Sequence, residues 1–194
     1  MENQALATIA SFIAMAFVIT SYFLKNKSLY LLFQALCITF LGISYFFSVQ
    51  FFAMVGLWIA LFRALSFFVY EKHDKVAPLS ISFFFSGLSV ASYFIINLGV
   101  LGLANPLDIL CLGALVLYAF IFRIRDLKKI RFLMIAPTVL SLLFNALSGA
   151  AIFATLTYVF ELTANLISIY KYHVRGKIKS NSLKKNVKYK QEKK

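Results

Sequence analysis

Seven apolar stretches run along the chain, separated by short polar or charged breaks: Ala5–Leu24, Leu29–Val49, Phe51–Tyr70, Ala77–Leu98, Pro106–Phe122, Phe132–Leu147 and Ala150–Tyr170. Most are close to the ~20 residues that an α-helix needs to cross a bilayer core. The fifth and sixth are shorter and are expected to extend into their neighbouring loops. The pattern therefore predicts an all-α integral membrane protein with seven transmembrane helices.

The breaks alternate in chemistry. Lys25 and Lys27 follow the first stretch, and Glu71, Lys72, His73, Asp74 and Lys75 follow the third. Arg123, Arg125, Asp126, Lys128, Lys129 and Arg131 follow the fifth, and a basic tail follows the seventh. The breaks around Gln50, Leu98–Asn105 and Ser148 carry no charge. Basic flanks mark the cytoplasmic side of membrane helices, so the N-terminus is expected outside and the C-terminus inside.

Adding 98 to a residue number carries Lys25 to Arg123, Lys27 to Arg125 and Arg63 to Glu161. Spans one to three and five to seven then form two three-helix halves that run in the same direction, with the fourth span reversing the chain between them. This 3+1+3 parallel repeat divides the chain into a first half at 1–76, a linker helix at 77–104, a second half at 105–173 and a disordered basic tail at 174–194. Asn105-Pro106-Leu107-Asp108 reads as an N-cap, a proline at the first helical position and a carboxylate in the first turn. Pro78 likewise starts the fourth span. Pro137 lies inside the sixth, where it removes a backbone hydrogen bond; it is either a hinge or a static kink.

Composition agrees with a lipid solvent: 61% of the residues are hydrophobic, 14% are charged, and 22 are Phe. The net charge of +13 sits mostly in the tail from Lys171 to Lys194, so it marks membrane topology rather than a nucleic-acid interface. That tail is either an orientation signal or a contact for anionic lipid head groups. Cys37 and Cys111 each sit in an apolar run and read as small core residues. The start of the chain lacks the basic n-region of a signal peptide, so the first stretch is expected to remain as a helix.

Apart from Asp108 in the first turn of the fifth span, the only charges within the spans are Arg63 and Glu161. An ionisable group at membrane depth is costly and faces the protein interior or a water-filled path. Two arrangements suit the pair. They lock two helices together as a buried ion pair, or they flank a polar cavity in which Arg63 holds an acid group and Glu161 a donor or proton. A third reading has Arg63 snorkelling to the interface. Polar residues recur at helical spacing beside them: Thr157, Glu161, Asn165 and Ser168; Thr138, Ser141, Asn145 and Ser148; Ser82, Ser86, Ser89, Tyr93 and Asn97. Gly56, Ala60 and Ala64 make a small-residue ridge. Helix packing explains the small and hydroxylated positions; Asn145, Asn165 and Glu161 fit it less well. The candidates for a solute path are Arg63, Glu161, Asn165, Asn145 and Ser141, with Pro137 as the candidate hinge. No catalytic, metal-ligating or phosphate-binding motif is present, so neither an enzyme nor a cofactor is expected.

The segments QALCITFLGISYFF at Gln34–Phe47 and ALFRALSFFVY at Ala60–Tyr70 complete the picture. With its Gly-plus-aromatic second span, one Arg in the third and Asn in the last, the chain resembles the YgjV family of bacterial inner-membrane proteins over most of Ala5–Tyr172. That resemblance implies the bacterial cytoplasmic membrane and carries no assigned activity. In layout alone the chain is also similar to the seven-helix 3+1+3 facilitators of sugars and vitamin precursors. The expected function is facilitated movement of a small polar or zwitterionic metabolite. The rival is a non-transporting membrane protein, whether sensor, immunity or assembly partner, whose polar stripes only pack helices. A homo-oligomer is compatible with either.

Overall fold

The computed structural model describes residues 2–47, 51–100, 106–148 and 152–174, and all regular structure in them is helical. The helices are α1 (Glu2–Phe23), α2 (Lys27–Phe47), α3 (Phe51–Lys72), α4 (Leu79–Phe94), α5 (Asp108–Ile121), α6 (Leu127–Leu133), α7 (Ile135–Leu147) and α8 (Ile152–Ile169). π-type turns continue α4 to Val100 and α8 to Val174. Five helical runs are long and apolar enough to cross a membrane: Gln4–Phe23, Lys27–Phe47, Phe52–Lys72, Leu79–Asn97 and Leu127–Leu147. α5, with 14 residues, is a shorter apolar helix of about 21 Å. The expected breaks at Gln50 and Gly149, most of Leu98–Asn105, and the tail beyond residue 174 lie outside the described residues.

Two of the helix starts that differ from the sequence pattern have a local cause. α5 begins at Asp108 rather than Pro106. Pro106 and Leu107 form a turn whose carbonyls accept the N–H groups of Ile109 and Leu110 at 3.4 and 3.0 Å. Asp108 does occupy the first helical turn, while the expected cap, Asn105, is outside the described residues. The sixth apolar run begins at Leu127 rather than Phe132, because Asp126 accepts the backbone N–H of Lys128 at 2.9 Å and caps a run of good helix formers. This run is interrupted at Met134. Pro137 has no N–H to offer the Leu133 carbonyl, and regular bonding resumes when Thr138 N–H donates to Met134 at 3.1 Å.

The helices close into a ring. α1 packs on α2, α2 on α3, α3 on α5, α5 on α7, α7 on α8, and α8 returns to α1; α4 leans on α3 and α5. The two halves thus follow the same path, and their buried positions show the register. Tyr30, Leu31, Gln34, Ile38, Leu41 and Tyr45 of α2 recur 100 residues on as Ile130, Arg131, Met134, Thr138, Ser141 and Asn145, all buried. Ala53, Leu57, Ala60, Ala64 and Phe67 of α3 recur 101 residues on as Ala154, Tyr158, Glu161, Asn165 and Ser168. Asn26 and Asp126 start α2 and α6 in the same way, each accepting the N–H two residues ahead. Buried positions thus recur at about 100 residues, where the charge pattern gives 98. The two spacings differ by two or three residues, less than one helical turn. At the 101-residue spacing of α3 and α8 the counterpart of Glu161 is Ala60; at 98 it is Arg63.

Along each helix the apolar side chains divide between core and outside. Phe62 is 62% exposed while Arg63, the next residue, is 1% exposed. Phe12, Phe46, Phe83 and Phe84 also point outward; this apolar mantle is what lipid covers. One end of the ring gathers the charged segments. Lys27 pairs with Glu71 at 2.6 Å, Arg125 donates to the Asp74 carbonyl at 2.7 Å, and Arg123 donates to the Ala77 carbonyl at 3.1 Å. Arg131 donates to the Leu24 carbonyl at 2.6 Å and stacks on Tyr172, whose hydroxyl reaches the Phe23 carbonyl. Arg131 is thus buried within a helix rather than solvated in a loop.

Candidate functional site

Apolar helices that carry polar residues on their inner faces leave those residues to find partners across the ring. At its centre they enclose a cavity of about 50 Å³, lined by α2, α3, α5, α7 and α8. A site of that size holds roughly three or four waters. Pairs related by the spacing of about 100 residues line its wall: Leu41 and Ser141, Tyr45 and Asn145, Leu57 and Tyr158, and Ala60 and Glu161. The cavity therefore lies where the two halves face each other. Tyr45 donates its phenol proton to Asn145 Oδ1, and Asn145 Nδ2 donates to the Ser141 carbonyl at 2.7 Å.

Arg63 and Glu161 both line this cavity, and each bonds a helix of the other half, Glu161 also one of its own. Arg63 Nη1 donates to the Leu115 carbonyl of α5 at 2.6 Å, and its guanidinium lies 5.7 and 5.6 Å from the ring centres of Tyr118 and Phe122. Its Nε has no partner. Glu161 Oε1 accepts the Tyr22 hydroxyl of α1 at 2.8 Å and the Thr138 hydroxyl of α7 at 3.4 Å. The two charges do not form an ion pair; among the described residues the salt bridge is Lys27–Glu71. The structural-lock and snorkelling readings of Arg63 are both corrected, since its side chain turns inward and bonds a backbone carbonyl. Close packing makes that bond reachable: a Cβ on Gly56 would stand 2.7 Å from Leu115 Cδ1, so α3 approaches α5 where Gly56 leaves room.

The other expected path residues divide. Ser141 and Asn145 line the cavity; Asn165 does not. Asn165 donates instead to the Arg131 carbonyl at 2.8 Å, tying α8 to α6 one turn nearer the charged end. Its stripe neighbours Thr157 and Ser168 donate to the α1 carbonyls of Ser11 and Tyr22 at 3.4 and 2.7 Å. Pro137 is buried beside the break at Met134. In α4, Ser89 and Ser92 bond carbonyls of their own helix. Cys37 and Cys111 contribute to the cavity wall. Among the described residues no three His, Cys, Asp or Glu side chains gather as a metal site requires.

Five contributors were missed in the sequence: Tyr22, Tyr45, Tyr118, Tyr158 and Gln34. Four are tyrosines in a chain rich in Phe, where the phenol hides among apolar rings although it carries a donor. Gln34 lines the cavity and donates to the Ser21 hydroxyl at 3.0 Å; a lone amide in an apolar span was the available signal.

The profile of the family Imp-YgjV, bacterial inner membrane protein, matches residues 5–176. No curated protein and no solved structure matches the chain.

Proposed function

The chain belongs to that family of bacterial inner membrane proteins, and from this premise we propose that it is a seven-span carrier rather than an enzyme, moving a small polar solute through the centre of its ring. α6 and α7 count as one broken span, and α5 and α8 complete the seven. The N-terminus lies outside and the C-terminus inside. Meeting of the charged segments at one end of the ring supports this, because that end carries the basic excess expected of the cytoplasmic face. The observation that carries the carrier reading is the central cavity with its two charges lacking ion-pair partners. Membrane-buried charge is expensive, and packing alone gives no reason to retain it. A cavity of about 50 Å³ suits only a small solute, and the interrupted span at Met134 supplies a place for movement between the halves.

The non-transporting rival keeps one specific support. Thr157 and Ser168 spend their hydroxyls on α1 carbonyls, which is helix packing. Purified protein in liposomes, tested with a panel of small polar metabolites, separates the readings. Saturable uptake lost in Glu161→Gln supports the carrier. No flux for any solute, with a specific protein partner captured by crosslinking, supports the rival. Orientation is checked by placing a cysteine at Lys72 in a background without Cys37 and Cys111. It should resist an impermeant reagent added outside intact cells, and labelling there would overturn the proposed orientation.

A further inference from the structure

We propose that the central cavity is a binding site for a small zwitterion, of the size of glycine or alanine, with its carboxylate on Arg63 and its ammonium on Glu161. The inference rests on the carrier reading for its purpose but on geometry for its chemistry.

Three observations converge. First, the cavity wall carries one cation and one anion from the third helices of opposite halves, and they do not pair. Each is only partly satisfied by protein. Arg63 gives Nη1 to the Leu115 carbonyl while Nε is buried without a partner. Glu161 takes both of its hydrogen bonds on Oε1. The remaining guanidinium edge suits a carboxylate, which it can hold through two parallel bonds. The remaining carboxylate oxygen suits an ammonium.

Second, electroneutrality selects among ligands. The empty wall is neutral overall, so a zwitterion enters without adding net charge to a low-dielectric centre. A simple anion or cation would leave an uncompensated unit of charge there. Third, the space is small. About 50 Å³ admits a few water-sized groups, which suits a short amino acid and refuses one with a bulky side chain. Leu41, Leu57 and Phe144 close the wall around it.

The full-length protein in nanodiscs is titrated calorimetrically with glycine, alanine, acetate, methylammonium and phenylalanine. Glycine and alanine are expected to bind. Acetate, methylammonium and phenylalanine are expected to bind at least about tenfold more weakly, since a charged hydrogen-bonding partner is worth that much or more. Glu161→Gln should weaken glycine by about tenfold or more while leaving acetate no weaker. Ala60→Val, which narrows the cavity and keeps both charges, should also lose glycine; it covers the case in which Arg63 variants fail to fold. Acetate binding as tightly as glycine, unchanged glycine affinity in Glu161→Gln, or no binding of glycine or alanine would each overturn the site. Glycine binding without flux in liposomes would instead sink the carrier reading and leave the site standing. Flux of another solute with no zwitterion binding would do the reverse.

Discussion

Two seams join the halves of the ring, and they are built differently. At the α3–α5 seam, the Leu115 side chain fills the space left by Gly56, one guanidinium reaches the Leu115 carbonyl, and α4 packs against both helices. At the α8–α1 seam a ladder of side-chain bonds runs along the interface: Thr157 to the Ser11 carbonyl, Tyr22 to Glu161, and Ser168 to the Tyr22 carbonyl. The same register positions serve both, so Gly56 stands where Thr157 stands in the other half. One seam is closed by shape and the other by hydrogen bonds. Lipid offers apolar surface no reason to hide from it, so close packing and polar contacts are the two means by which membrane helices associate.

The largest effect is expected at the shape-closed seam. Gly56→Leu places a branched side chain where even a Cβ crowds Leu115. Overpacking of this kind costs about 2–3 kcal/mol. Thermal unfolding in detergent should show it as a clear drop, and an unchanged midpoint would mean that α3 and α5 are not so close.

The seams also show what could be read from residue order. The charged breaks were legible because lysines and arginines cannot hide in an apolar run, and they do gather at one end of the ring. The inward position of Glu161 was legible for the same reason. Partner identity was not. Arg63 and Glu161 look like a pair when only opposite sign and spacing are visible, yet each bonds a neutral group on the other half's first helix. The 98-residue offset aligns Arg63 with Glu161 and Lys25 with Arg123, while the spacing of buried positions becomes visible only once the helices are packed. Arg131 looked like a loop charge because it stands in a basic cluster; its partner, the Leu24 carbonyl, lies 107 residues away in the chain.

Next in size is the contact that joins α2 to α7 across the cavity. Tyr45→Phe removes the donor to Asn145 Oδ1 and leaves that oxygen in an apolar wall. A loss of about 1 kcal/mol is expected, within the range measured for polar contacts between membrane helices. Because Tyr45 and Asn145 are register equivalents, Asn145→Leu in the Tyr45→Phe background should recover part of the loss. Additive losses would show that the two do not meet.

A smaller effect is expected from thinning the ladder at the other seam. Thr157→Val keeps the branched shape and removes hydroxyl bonding. About 0.6 kcal/mol is the typical scale for one such bond. The same denaturation measurement applies, and a loss as large as that of Gly56→Leu would contradict the division of labour between the seams.

The smallest effect on stability should come from the most deeply buried charge. If Arg63 were half of an ion pair, its removal would leave Glu161 uncompensated and would be strongly destabilising. The geometry gives a different expectation. Arg63 has no carboxylate beside it, its Nε is unpartnered, and its acceptor is a carbonyl within α5. Replacing an unpaired buried cation with Met removes a desolvation penalty and keeps much of the packing against Tyr118 and Phe122. Arg63→Met should therefore unfold within about 0.5 kcal/mol of the parent or above it, while losing glycine binding. Stability gained where function is lost is the signature of a group retained for a ligand rather than for the fold. A midpoint lowered as far as that of Gly56→Leu, with glycine binding intact, would return Arg63 to a structural role in the α3–α5 seam.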